Sequence, residues 1–280
     1  MPTVYIKPGS GTGTGTLADP YFYSQLSSAE TAAGAGGTIL FTDGTYSVSA
    51  DQTWDSLLNY KSLNLQGAII DGTVASAGSA MRRIIMGSSG ATSSDVYSLE
   101  GFKFIDVRIY ARYYSATASM LSNVLTCSDY VSPAGKGLVD TYTGTSQSGS
   151  LTIKYNSFHG KFSDTGSDGQ HRIFSYLGSA TFESNSCYFD IESGTALYDF
   201  NGGSAQTPSN MKNNIWAGNG DGNFDSMVIE ARSTYSCFYN INQTASATGN
   251  INGDPQFVDT TTGDLRLRPT SPCIGAATAS

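Results

Sequence analysis

Four short stretches place an asparagine at the same point between two apolar segments. They read SMLSNVLTC, LTIKYNSFH, ATFESNSCY and SNMKNNIWA, and the shared residues are Asn123, Asn156, Asn185 and Asn214. Two weaker echoes flank them, SLEGFKFIDV at Gly101 and STYSCFYN at Cys237. Taken as equivalent points, the six give steps of 22, 33, 29, 29 and 23 residues. A unit of about 20–30 residues recurring with variable insertions predicts stacked coils, each built from a few short parallel strands. A two-sheet sandwich would call for more regular two-faced alternation and closer hairpin spacing. Asparagine suits the corner of such a coil, because it tolerates left-handed backbone and its amide can bond to the next asparagine in the stack.

The chain before these repeats has a different character. Phe22, Leu26, Ala29 and Ala33 recur near helical spacing, so a helix is expected between Tyr21 and Ala33, stopped by Gly34 and the Gly36-Gly37 pair. Thr38–Val48, TILFTDGTYSV, reads as a strand, an Asp-Gly turn and a second short strand. SLNLQ, Ser62–Gln66, alternates in part before another Asp-Gly step at Asp71-Gly72. The GSGTGTGT run at Gly9–Thr16 lacks the Lys-Ser/Thr of a phosphate loop and reads as a flexible loop.

Fifteen Lys plus Arg stand against 23 Asp plus Glu, for a net charge of -8 with only 14% charged residues. Ser, Thr, Asn, Gly and Tyr must therefore supply most of the polar surface, as is common in extracellular or virion β-proteins. Without a Lys/Arg stripe to track phosphates, nucleic acid is not an expected partner. No apolar run is long enough for a membrane helix, so no membrane is expected either. The opening MPTVYIKPGSG has neither the basic segment nor the apolar run of a secretory signal. Cys127, Cys187, Cys237 and Cys273 lie far apart. They read as buried free thiols, with one disulfide left open. With His159 and His171 the only histidines, no His/Cys metal centre is expected.

Both ends carry further wording. VYIKPGSGTGTGTLADPYFYSQLSSAETAAGAGGTILFTDGTYSV resembles the opening of right-handed parallel β-helix proteins of the pectate-lyase-like superfamily, which includes phage tailspikes. GDPQFVDTTTGDLRLRPTSPCIGAA is similar to the last coil of the same group, with Ala276 or Gly275 at its final glycine position. With the coils between, the resemblance covers essentially the whole chain. It implies an all-β, single-stranded right-handed parallel β-helix with a short N-terminal capping helix. Residues 1–37 would be the N-terminal strand, loop and helix, and residues 38–280 the coils, closed by 252–275. In that closing stretch Leu265 and Leu267 are expected inward and Arg266 and Arg268 outward. Pro269 and Pro272 would forbid further ladder bonds.

The resemblance also implies where chemistry would sit. Polysaccharide lyases of this kind use an Arg or Lys to remove a proton beside a uronate carboxylate, with calcium or a second basic group neutralising the charge. Counting five residues past each repeat anchor aligns Asp106, Lys161, Asp190 and Asn219, with Asp129 one further along. Seven residues past gives Arg108, Glu192 and Asp221. The Gly160–Arg172 insertion, GKFSDTGSDGQHR, would border this column with Asp164, Asp168, His171 and Arg172. The candidate catalytic set is thus Lys161, His171, Arg172, Asp190 and Glu192. A second cluster, Arg82, Arg83, Lys103, Arg108 and Arg112 with Tyr110, Tyr113 and Tyr114, suits an acidic glycan or a protein contact. Its candidate glycan-binding residues are Arg108, Tyr110, Arg112, Tyr113 and Tyr114.

The expected function is a non-catalytic structural or adhesive β-helix on a phage particle or other outer surface, contacting glycans or neighbouring surface proteins. No cofactor is expected. A homo-oligomer is expected, with a trimer as the form that phage β-helices suggest. The alternatives are a polysaccharide lyase, which could use calcium, a glycoside hydrolase built on a carboxylate pair, and a pure glycan-binding module.

Overall fold

The computed structural model describes residues 1–55, 57–73, 81–86, 96–111, 116–130, 137–141, 149–162, 170–175, 180–192, 196–201, 210–220, 223–225, 233–241 and 248–277. Among these the chain is all-β apart from one short helical segment near the N-terminus. It winds through three parallel sheets of ten, nine and seven strands, and each of the seven turns described between Thr38 and Asp225 adds one strand to each sheet. One turn runs Val96–Glu100, Lys103–Ile105, Val107–Ala111, and the next runs Thr117–Leu121, Val124–Tyr130, Gly137–Thr141. Every pairing within the three sheets is parallel, as in Thr117–Leu121 on Ser150–Lys154. This is a β-solenoid.

The core fills the inside of the coil. Alternate residues of a strand enter it, as Phe158 and Phe162 do from Ser157–Phe162. Aromatic rings stack along the axis: Phe182 lies 5.9 Å from Phe158 and 5.3 Å from Trp216, centroid to centroid. Offset stacks of this kind add a little beyond the burial of their area.

The corner between the first and second sheets explains the asparagines. Asn123, Asn156, Asn185 and Asn214 are all at most 2% exposed. Each Oδ1 accepts the backbone N–H of the corresponding residue one turn earlier: Phe102 to Asn123 at 3.0 Å, Asn123 to Asn156 at 2.9 Å, Asn156 to Asn185 at 3.0 Å and Asn185 to Asn214 at 3.0 Å. Each Nδ2 donates to a carbonyl of the earlier strand, Leu99, Met120, Ile153 and Phe182 in turn, at 2.9 Å. The ladder continues through Ser236 and Asn250, whose Oδ1 accepts the Ser236 N–H at 2.8 Å.

Two details differ from the sequence reading. The left-handed residue is not the asparagine but the one before it, Ser122, Tyr155, Ser184 and Asn213, at φ 56–60°. The asparagine is selected for its amide. The outer anchors also move by one: Lys103 pairs with Val124 and Cys237 with Ile215, so Phe102 and Ser236, not Gly101 and Cys237, are in step with the ladder.

At the start of the chain, Thr3–Lys7 pairs with Thr38–Phe41, and the α-helix Leu26–Ala33 packs beside it after a 3-10 turn at Tyr23–Gln25. Leu26, Ala29 and Ala33 are its buried residues, whereas Phe22 belongs to a short strand before it. Gly34 ends the helix at φ 62°. The helix is tied to the second turn by Glu30, whose Oε1 accepts from Tyr60 Oη at 2.7 Å and from the Asp55 N–H at 3.2 Å. The two strands of TILFTDGTYSV belong to different sheets, so Asp43-Gly44 is a coil corner and no hairpin. SLNLQ is likewise a corner turn, with Leu63 and Leu65 exposed.

The closing phrase departs most from expectation. Ile251–Asn252 is the last strand of the second sheet. The chain then leaves the stack and forms an antiparallel hairpin, Phe257–Asp259 against Asp264–Leu267. Phe257 and Leu265 are buried, but in a small apolar cluster with Ile215, Ala217 and Cys237, separate from the coil core. These three face outward from the second sheet. The hairpin therefore lies across the solenoid's flank, and its inward leucine points at that flank and not into the coil. A disulfide between Cys237 and Cys273 fastens it, with Cα atoms 6.1 Å apart, while Cys127 and Cys187 are buried and belong to no disulfide.

Candidate functional site

The outer face of the second sheet is ruled into straight rows by its register. Lys103, Val124, Ser157, Ser186 and Ile215 occupy one row, each on a successive strand. Ile105, Thr126, His159, Tyr188, Ala217 and Tyr239 form the row two residues further on. Neighbouring strands stand about 4.8 Å apart, so side chains of a row are spaced evenly along the solenoid axis.

The hairpin crosses these rows and turns a flat face into a groove. One wall is its turn, Thr262–Arg266; the other is the corner with the first sheet, at Gln66, Tyr155 and Ser184. The floor carries Lys103, Thr126, Ser157 and Ser186, and the space between holds about 550 Å³. Tyr155 is 58% exposed, because its left-handed backbone (φ 60°) turns the ring out of the corner. On the far side of the hairpin is a second hollow of about 490 Å³, where Tyr188 and Tyr239 meet Asn219, Asn240 and Arg268.

His159 lies beneath the hairpin. Its ring stacks on Tyr188 with centroids 6.0 Å apart and the planes 15° from parallel. Burial pushes the imidazole pKa down, and this outweighs the upward pull of a hydrogen bond with the Thr260 backbone and of the Asp190 and Asp259 carboxylates. Nδ1 is buried without a hydrogen-bond partner. Gly263 sits directly over it: a Cβ there would come within 3.1 Å of Nδ1.

The candidate catalytic residues are divided between two sheets. Lys161 and Asp190 are register neighbours on the second sheet, as the repeat spacing implied, yet no ion pair joins them among the described residues. Asp190 Oδ1 instead accepts from Asn219 Nδ2 at 2.6 Å. Lys161 is exposed, and Glu192 is exposed just past the strand end, its N–H bonded to the Phe162 carbonyl at 3.0 Å. His171 and Arg172 are on a strand of the third sheet, Gln170–Ser175, opposite Leu197 and Tyr198. The Gly160–Arg172 stretch is therefore not one bordering loop, since its ends are strands of two sheets; Asp164 and Asp168 lie outside the described residues. Asp106 is one step out of the column, and its carboxylate accepts from the N–H and Oγ of Ser128 at 2.7 and 2.8 Å. Asp129's offset marks a β-bulge between Cys127 and Tyr130.

The Arg/Tyr cluster also divides. Arg82, Arg83, Arg108 and Tyr110 are on the third sheet, whereas Lys103 is on the second. Arg108 is only 4% exposed, so it offers little to a surface ligand. Arg83 is held bidentately by Asp51, with Nε and Nη2 donating to Oδ2 at 2.8 and 2.6 Å, and lies 5.8 Å from the Tyr110 ring centroid. Arg112, Tyr113 and Tyr114 lie outside the described residues.

The residues that do line a groove, Thr126, Ser157, Ser186 and Tyr155, form no sequence motif. Their only signal was the repeat itself: Ser157 and Ser186 each follow a ladder asparagine directly. No protein-family model matches the chain, and no curated protein matches it.

Proposed function

We propose that the protein is a non-catalytic, adhesive or structural right-handed β-helix of the pectate-lyase-like kind, displayed on a phage particle or another outer surface, which holds glycans along its lateral groove. The observation that carries this reading is the axial groove on the second sheet, with the hydroxyl residues Thr126 and Ser186 on its floor and an exposed tyrosine, Tyr155, at its edge. Hydroxyls give and accept hydrogen bonds with a sugar's own hydroxyls. An aromatic face offers the apolar side of a pyranose a flat surface. The right hand follows from the strong bias of parallel strand connections. The division of these residues between two sheets, Lys161 and Asp190 on the second and His171 and Arg172 on the third, favours binding over turnover. A homo-oligomer, in trimer form, belongs to the same proposal.

The test is a glycan-array screen of the full chain and of Tyr155→Ala, alongside incubation with the glycans it retains. Retention that weakens in the variant, with the glycan recovered intact, is the expected result. Cleaved or unsaturated products would overturn the non-catalytic reading, and retention unaffected by Tyr155→Ala would move the site elsewhere.

A further inference from the structure

The groove owes one wall to a segment that is not part of the coil. The hairpin of Phe257–Asp259 and Asp264–Leu267 pairs with itself and shares no ladder with the three sheets. A lone two-stranded hairpin is marginal in water, so it keeps its shape only while docked. Its docking rests on Phe257 and Leu265, buried against Ile215, Ala217 and Cys237, with Leu267 and Cys273 partly buried at the margin. A hydrogen bond between His159 and the Thr260 backbone adds to it. Hollows flank the hairpin on both sides, about 550 Å³ toward Tyr155 and about 490 Å³ toward Asn219. Two apolar anchors are little to set against the conformational freedom of a segment running from Gly253 to Ala277.

The disulfide supplies what the anchors lack. Cys237 stands in the outward row of the second sheet, in register between Ile215 and Ile251, and its bond to Cys273 spans 36 residues that include the whole hairpin. A cross-link of that span takes freedom from the undocked tail and so favours the docked one. Cys237 is 3% exposed, whereas Cys273 is half-buried, so a reducing dithiol meets Cys273 first. Its thiolate attacks Cys273 Sγ, the bond to Cys237 breaks, and Cys237 Sγ leaves with the electron pair and takes up a proton. The reductant's second thiol then displaces Cys273, so the protein gains two thiols and the dithiol becomes a disulfide. Cys127 and Cys187, at most 1% exposed within the coil core, take no part. Resting on the adhesive reading above for what the groove does, we infer that Cys237–Cys273 is a redox latch. Oxidised, it holds the hairpin down as the groove's wall. Reduced, it lets the hairpin swing off, and the groove reverts to a flat face with Ile215, Ala217 and Tyr188 uncovered. A reducing compartment thus leaves the groove unbuilt, and an oxidising one completes it.

The experiment treats the full, folded chain with dithiothreitol and locates the freed thiols with iodoacetamide. Trypsin cleavage of the Arg266–Leu267 bond, inside a hairpin strand, and hydrogen exchange of the coil are followed in parallel. Reduction is expected to label Cys237 and Cys273 and neither Cys127 nor Cys187. It should speed that cleavage at least about tenfold, because cleavage tracks the population of the undocked segment. Exchange at Thr152, Phe158 and Phe182 should not change, and reoxidation should restore resistance. The double variant Cys237→Ser, Cys273→Ser should be cleaved at the reduced rate with or without dithiothreitol. Cleavage that stays slow after complete reduction overturns the latch and leaves the adhesive reading standing, as does an equal loss of protection in the coil. A glycan retained by the oxidised chain should be released on reduction. Retention that survives with the hairpin free overturns the latch's control of the groove and places the glycan site elsewhere. If no glycan is retained in either state, the adhesive reading falls and cleavage alone decides the latch.

Discussion

Asn156 and Asn185 are joined twice through a single atom: Asn185 Oδ1 accepts the Asn156 backbone N–H at 3.0 Å and its Nδ2 at 3.1 Å, both inside the coil. At the same time Asn185 Nδ2 donates to the Ile153 carbonyl at 2.9 Å. Asn185→Ala therefore strands a buried donor and a buried acceptor of the main chain, neither of which water can reach. A loss of about 3 kcal/mol or more in urea unfolding is expected. Asn185→Asp keeps the acceptor and loses the donor, and buries a charge besides. It should be at least as damaging at neutral pH and regain part of its stability on acidification, as the carboxyl takes up a proton. If the Asp variant matched the parent at neutral pH, the ladder would not be carrying backbone satisfaction.

A second ladder runs on the first sheet. Glu183 is 3% exposed and lies in register between Lys154 and Lys212, with N–O distances of 2.6 and 3.3 Å. Burial pushes its pKa up, but hydrogen bonds and charge from Lys154 and then Lys212 outweigh this and hold it below the usual value of 4.5. The native state therefore binds fewer protons than the unfolded chain. The resulting stability is present above the ordinary glutamate pKa and is lost as pH falls through the depressed one. Glu183→Gln should lower the midpoint of thermal unfolding at pH 7 and flatten its fall below about pH 4.5. An unchanged acid limb in the variant would assign that limb to other carboxylates.

How much of this was legible beforehand depends on what each residue must satisfy. The four asparagines were readable because a buried amide facing identical neighbours above and below leaves the repeat no freedom at that point. Gly101 and Cys237 misled by one position because the outer turns fill the slot differently, with the bare N–H of Phe102 at one end and the Ser236 hydroxyl at the other. The alternation Leu265-Arg266-Leu267 correctly implied that Leu265 is buried and Arg266 exposed. A period of two says that one face is covered, not by what, so the hairpin's position on the flank could not be read from it. The groove was least visible. Its walls come from residues as distant as Gln66 and Arg266, and its floor is Ser and Thr, which in sequence look like any solvated strand.

The disulfide makes the hairpin's attachment testable separately from the coil. Cys237 is on the last full turns and Cys273 is 36 residues further on, beyond the hairpin. Closing a loop of that length restricts the unfolded chain by roughly 3–4 kcal/mol. Cys273→Ser should expose the 253–277 segment to protease while the coil amides stay protected from hydrogen exchange. Simultaneous loss of protection in both regions would show instead that the hairpin and the coil unfold as one unit.

His159 and Gly263 offer a gentler probe of the same contact. Because burial lowers the His159 pKa from its usual 6.5, the native state binds fewer protons than the unfolded chain below that pH. The hairpin's contribution is then fully present above about pH 6.5 and weakens as pH falls through it, levelling once His159 is protonated in the folded protein. The charged groups facing the ring, Asp190 from the adjacent strand and Asp259 from the hairpin, oppose this trend and limit its size. Gly263 is at φ +75°, and a methyl there would also press on His159 Nδ1. Gly263→Ala is expected to cost about 1–2 kcal/mol of hairpin stability at any pH through backbone strain. His159→Gln should remove the pH dependence alone. Hydrogen exchange of the Leu265 and Leu267 amides between pH 5 and 8 reads both effects. A pH trend that persists in His159→Gln would place the titrating group outside this contact.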